Sequence, residues 1–100
     1  MSLIKNLSEM IEYPKGGILS KSIFKESELD ITLFSMAAGT RISPHTSAKK
    51  GFVYIIEGKG NFYLEGKNIE MNPNIFIPMK KDAIHSLKVE KNTSFILVLL

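Results

Sequence analysis

No cysteine occurs among the 100 residues. That one absence excludes disulfides, thiolate metal sites and cysteine nucleophiles. Arginine is scarce as well: of the 13 basic residues only Arg41 is arginine, and the rest are lysine. Bases and phosphates are read best by a bidentate guanidinium, so a net charge of +3 carried mainly by lysine reads as a solvated surface, not as a nucleic-acid footprint. Long apolar runs are also missing. The longest, residues 95–100, is far too short to span a bilayer, and Lys5, Glu9 and Glu12 interrupt the apolar residues where a secretory leader needs continuity. A cytoplasmic protein with no membrane and no nucleic-acid partner is expected. No phosphate-cradling glycine loop, no dinucleotide-binding glycine pattern and no Ser/His/Asp order is present. The three tyrosines are too scattered to form a base-stacking platform.

What remains is an ordinary globular composition, 44% hydrophobic and 23% charged. The length allows a single domain, residues 1–100, with one core. Leu3, Ile4, Leu7, Met10 and Ile11 recur at helical spacing, with Asn6 and Glu9 as a capping pair, which predicts a short helical turn cut off by Pro14. Beyond Gly16 and Gly17 the pattern changes to alternation. Strands are predicted over residues 18–24, 29–36, 41–45, 52–57, 61–65, 67–71, 75–77 (ended by Pro78), 84–89 and 94–99. In the second of these, Ile31 and Leu33 share one face while Thr32, Phe34 and Met36 share the other. Glycine, proline or asparagine separates nearly every pair, as in Gly58-Lys59-Gly60, Gly66-Lys67 and Asn72-Pro73-Asn74. Many short strands so punctuated mean an all-β sandwich or barrel.

Two stretches carry a resemblance. In the first, Gly39 stands six residues before His45, and Gly58 closes a strand that begins after Gly51. In the second, Gly66 opens a segment with the turn Asn72-Pro73-Asn74, the strand ending at Pro78, and His85. Together they resemble the two motifs of the cupin family, over residues 18–100. The resemblance implies a small antiparallel β-barrel, a jelly roll or double-stranded β-helix of the RmlC-like kind. It also implies that His45 and His85 occupy metal-ligand positions. Ser47 stands at the family's second histidine position and Gly51 at its glutamate position, so two of the first motif's three ligands are absent. In the second motif Lys80 replaces the usual glycine, His85 lies two residues further from Pro78 than usual, and Val89 stands in the place of the closing asparagine.

These residues define a candidate site. His45 and Ser47 share a strand face, and that face is the one the family turns inward. Alternation from Gly51 turns Val53 and Ile55 inward, and alternation from His85 adds Leu87 and Val89. A ligand pocket of His45, Ser47, Val53, Ile55, His85 and Leu87 fits the usual composition of small-molecule sites, and the other reading of the same residues is filled core. If a metal is held, His45 and His85 are its protein ligands, and imidazole suits Fe, Mn, Ni, Cu or Zn. Glu57 is a possible substitute carboxylate, although a glutamate before the closing glycine usually faces solvent in this family. Lys49-Lys50 and Lys80-Lys81 flank the histidine strands and read either as solvated loops or as a basic rim for an anionic ligand. Two functions stay open: a small cupin that binds an organic molecule in the barrel without catalysis, and a metal-dependent dioxygenase or isomerase with a reduced ligand set. A homodimer is expected, because edge strands near residues 18–24 and the apolar tail 95–100 need cover.

Overall fold

The computed structural model of the protein describes residues 4–100. Its helical turn, α1, is Leu7–Met10. The expected capping pair forms: Asn6 Oδ1 accepts from the Ser8 N–H at 3.1 Å, and Asn6 Nδ2 donates to Glu9 Oε1 at 3.4 Å. Leu3, assigned to this turn by its spacing, lies outside the described residues. Nine strands follow: β1 (Ile18–Glu26), β2 (Leu29–Met36), β3 (Arg41–His45), β4 (Gly51–Glu57), β5 (Gly60–Leu64), β6 (Lys67–Met71), β7 (Phe76–Met79), β8 (His85–Val89) and β9 (Thr93–Leu99).

The strands form two antiparallel sheets, one in the order β1-β2-β9-β4-β7 and the other in the order β3-β8-β5-β6. From β2 onward the chain crosses repeatedly between them, so the two inner faces close on one core as in a jelly roll. Strand parity decides which residues enter it. Val53 lies opposite Leu97 and Ile77, and Ile55 lies opposite Phe95. Phe62 lies opposite Leu87 and Ile69 in the other sheet. Val53, Ile55, Phe62, Leu87, Val89 and Phe95 are all buried in one cluster with Met36, Met71, Ile77 and Met79.

Two expectations from the sequence change. Pro78 does not end a strand but lies inside β7, paired with Phe52. β7 is an edge strand of its sheet, where a residue without an N–H leaves the ladder intact. The apolar tail is not left for a partner to cover either. β9 is the central strand of the five-stranded sheet, flanked by β2 and β4, and Phe95 and Val98 are buried within the chain.

The outer face of this sheet is also covered. Leu33 and Ser35 alternate away from the core and are nevertheless buried. The N-terminal segment runs over them: the Glu12 N–H donates to Ser35 Oγ at 3.4 Å, and the Glu12 carboxylate pairs with Lys21 at 3.0 Å. The Tyr13 hydroxyl donates to Glu57 Oε2 at 2.5 Å. Burial first, and then this bond to the carboxylate, push the Tyr13 phenol up to about 12. Glu57 is therefore the anchor of a strap and not a spare ligand of the barrel interior.

Gly58 shows why the motif glycine is there. Its φ is +118°, and a Cβ would lie 2.2 Å from Thr93 Oγ1 and 2.5 Å from Thr93 Cα. Backbone strain and overpacking then act together, and Gly58→Ala is expected to lower stability by about 3 kcal/mol. Urea unfolding of the variant beside the wild type measures this, and a loss below about 0.5 kcal/mol, the usual size of a surface change, contradicts the argument.

Candidate functional site: an imidazole pair at an apolar cavity

His45 is the last residue of β3 and His85 the first of β8, and the two are direct cross-strand partners. Their ring centroids are 4.1 Å apart with the planes inclined at 59°. His85 is buried, while His45 is exposed beside it. On its other side His85 stacks on Phe62, with centroids 5.9 Å apart and planes 7° from parallel.

Each ring is oriented by a carbonyl two residues earlier in the chain. His45 Nδ1 lies 2.8 Å from the Ser43 carbonyl oxygen and His85 Nδ1 lies 3.0 Å from that of Ala83. A carbonyl only accepts, so Nδ1 carries the proton in both rings, and the neutral imidazole keeps its free lone pair on Nε2. Among the described residues the only buried side-chain polar atom without a partner is Ser94 Oγ, so Nε2 of His85 is not sealed in the core but opens onto free space.

That space is a cavity of about 200 Å³ between the sheets. His45, Val53, His85 and Leu87 line it, as their strand positions imply. Phe34, Ile42, Phe62, Met79, Phe95 and Leu97 complete the wall. Alternation did not single these out: strict parity from His45 turns Ile42 outward, and only the register slip between Ile42 and His45 brings both residues to the inner face. Nothing local said that these residues meet at one point across two sheets. Ile55 is fully buried in the core cluster and does not reach the cavity wall. Ser47 does not reach it either. β3 ends at His45, so strand parity no longer governs Ser47 two residues later. Its hydroxyl accepts from the Lys49 N–H at 3.2 Å, and its carbonyl accepts from the Asp82 N–H at 2.8 Å. Ser47 thus ties together the two lysine-bearing loops, residues 46–50 and 80–84, which leave the cavity wall at His45 and Met79.

The donor set does not suit a resident metal. No group of three or more histidine, aspartate or glutamate side chains comes together among the described residues, and a protein metal site needs about three. The position that the family resemblance gives to a carboxylate is not merely vacant of one. A Cβ on Gly51 would lie 1.9 Å from the backbone oxygen of Val98, so no side chain fits there without moving β9. Two imidazoles and an apolar wall are what this interior offers.

Burial above all holds the His85 imidazole below its ordinary value; the bond to Ala83 works the other way, and the neighbouring His45 adds a smaller lowering influence. The folded state therefore binds the His85 proton more weakly than the unfolded chain does. The stability contributed by the neutral ring is fully present above about pH 6.5, the unfolded value, and falls as pH drops below it towards the depressed folded value. Urea midpoints measured between about pH 7.5 and 5 should fall in the wild type and fall less steeply in His85→Gln, which cannot titrate. Equal slopes in the two proteins contradict a depressed His85.

Among the described residues no helix is long and apolar enough to cross a membrane. No family model matches the chain. An uncharacterized protein of Aquifex aeolicus (strain VF5) is 28% identical over 99 residues, spanning 97% of this chain and 79% of that protein. A cupin 2 conserved barrel domain protein from Leptotrichia buccalis superposes with a TM-score of 0.88 at 27% identity, covering 96% of this chain and 47% of that one. A cupin superfamily protein from Desulfitobacterium hafniense superposes equally well, with a TM-score of 0.88 at 20% identity over 94% of this chain and 86% of its own. Near-complete overlap with two barrels that carry the cupin name leads where Gly39, His45 and Gly58 already pointed: this chain is a small barrel of the cupin, RmlC-like fold.

Proposed function

We propose that the barrel binds a small organic molecule, with an apolar body against the aromatic wall and, at the histidine pair, one hydroxyl group or a carboxyl group whose proton passes to a ring. The observation that carries this reading is the pairing of two carbonyl-oriented imidazoles with an otherwise apolar cavity of about 200 Å³. A cavity of roughly 150 Å³ admits a single benzene-sized ring, so the space here suits a one-ring or short-chain compound. The Nε2 lone pair of His85 accepts from a hydroxyl without a change of protonation. The lysines of the loops tied by Ser47 supply positive charge near the mouth, which favours an acidic ligand over a basic one. The same inventory supports binding without catalysis: apart from the two imidazoles the cavity wall is apolar.

The test uses phenol and benzoate as probes, with ring-proton NMR of His45 and His85 as readout. Saturable shifts of both imidazoles are expected, and Leu87→Phe, which fills the cavity from β8, should abolish them while the protein stays folded. Absence of shifts from either probe in the wild type, or unchanged binding in Leu87→Phe, overturns the reading. The metal-dependent alternative keeps one observation in its favour, the 4.1 Å approach of two rings whose Nδ1 atoms are already engaged. A thermal-shift series with Fe, Mn, Ni, Cu and Zn decides it: a stabilising shift that disappears in His45→Ala supports that alternative.

The partner proposed is a second copy of the chain, paired along β1. β1 is the other edge of the five-stranded sheet, nine residues long, with Ile18 left 40% exposed. Lys21 is drawn into the ion pair with Glu12, so it does not guard the edge as a free lysine would. Light scattering at micromolar concentration should give twice the 11.2 kDa chain mass, and Ser20→Pro in β1 should return the monomer. A monomeric wild type removes this proposal.

A further inference from the structure

We propose that the outer face of the four-stranded sheet carries a second site, separate from the barrel cavity, for a small oxyanion of the phosphate class. The site lies where β3, β8 and β5 run side by side. Arg41 stands opposite Lys88 across β3 and β8, and Tyr63 stands opposite Ser86 across β5 and β8. Ile42, Leu87 and Phe62 point inward at the alternate positions, so Arg41, Lys88, Ser86 and Tyr63 point out. Between Ile42 and His45 the register of β3 slips. Ser43 and Pro44 together oppose Ser86, one residue more than the ladder holds, and a cleft of about 290 Å³ lies beside them.

Three observations point to an anion there. The first is electrostatic. Like charges directly opposite one another across a strand pair destabilise a sheet, and nothing in the described chain neutralises this pair. Its two salt bridges are Lys21 with Glu12 and Lys59 with Glu90. The acid on the same face, Glu70, is two strands from Lys88, with Asn61 between them. The second is composition. The only arginine of the chain is placed on this exposed strand, opposite a lysine, whereas every other basic residue is lysine. The third is the ring of hydroxyls. Ser43, Ser86 and Tyr63 line the cleft, and none of their hydroxyls bonds to a described residue.

The donor geometry selects the ligand class. A guanidinium presents two parallel N–H groups to two oxygens, an ammonium takes a third, and the hydroxyls donate to what remains. A carboxylate, with two oxygens, leaves donors unused, whereas a phosphate group has oxygens enough for all of them. Inorganic phosphate and the phosphate of an organic monoester share this chemistry, and Tyr63 and Pro44 offer an apolar flank to the second of these.

An amide NMR titration at neutral pH and constant ionic strength tests the site, with inorganic phosphate, phenyl phosphate and chloride as probes. Saturable shifts at Arg41, Ser43, Tyr63, Ser86 and Lys88 are expected with both phosphates and not with chloride. Tighter binding of phenyl phosphate identifies a monoester as the natural form, and equal or weaker binding identifies the free anion. Arg41→Gln removes a charged bidentate contact and should weaken binding about tenfold or more. His85→Gln, in the barrel, and Lys25→Gln, on β1, should leave it unchanged. Without ligand at low salt, Arg41→Gln should melt higher than the wild type, because the cross-strand repulsion is gone, and this also shows that the variant folds. The proposal is overturned by shifts that chloride reproduces, by equal affinity in Arg41→Gln, or by loss of binding in His85→Gln. The last result moves the anion from this cleft to the imidazoles of the barrel, and leaves the barrel reading standing.

Discussion

The approach of β9 to β4 is the contact on which the rest of this barrel depends. β9 lies between β2 and β4, and at both ends of β4 its atoms occupy the space where a side chain would start: Val98 O beside Gly51, and Thr93 beside Gly58. Glycine at those two positions lets β4 lie flush on β9. The register that results sets Val53 against Leu97 and Ile55 against Phe95, and those four residues are the floor of the core under the cavity. A larger residue at either glycine would lift β4 away from β9, and the inner wall would move with it.

The same contact governs the chemistry. The place that cupin motifs give to a carboxylate falls on Gly51, where the backbone of β9 already stands. The interior therefore keeps two neutral imidazoles, and this position adds no carboxylate to them. Both rings are held by backbone carbonyls, which need no other side chain and leave a defined tautomer. The resulting site is asymmetric. His85 lies between Phe62 and His45 and loses affinity for its proton by burial, while His45 stands at the rim. A neutral acceptor thus lies inside and the basic loops lie outside, an arrangement suited to drawing in a polar end and burying an apolar body.

The outer faces of the two sheets are treated differently. The five-stranded sheet hides Leu33 and Ser35 beneath a strap anchored by Glu12, Tyr13 and Glu57, so both of its faces carry buried residues. The four-stranded sheet leaves its outer face to solvent, with Arg41 and Lys88 side by side. A bulge at Ser43 and Pro44 links that face to the interior, because the Ser43 carbonyl orients His45 on one side while the Ser43 side chain lines the cleft on the other.

The sequence alone determined where the strands lie and, in β4 and β8, which residues turn inward, because period-two alternation and Gly, Pro and Asn punctuation are local signals. β2, β3 and β6 begin and end where alternation placed them, and the Asn6 and Glu9 pair caps its turn as expected. The resemblance of the two glycine- and histidine-bearing stretches to cupin motifs implied inward positions for His45 and His85, and the fold brings the two rings together. Tertiary structure decided everything that depends on which strand lies beside which. It put the apolar tail in the centre of a sheet, kept Pro78 inside an edge strand, moved Ser47 out of the cavity wall and withdrew Ile55 into the core. It brought Phe34, Phe62 and Phe95 to the imidazoles from strands far apart in the chain, and it set Arg41 against Lys88. Pairing and register between distant strands arise from loop closure and packing over the whole barrel, and no window of adjacent residues contains them.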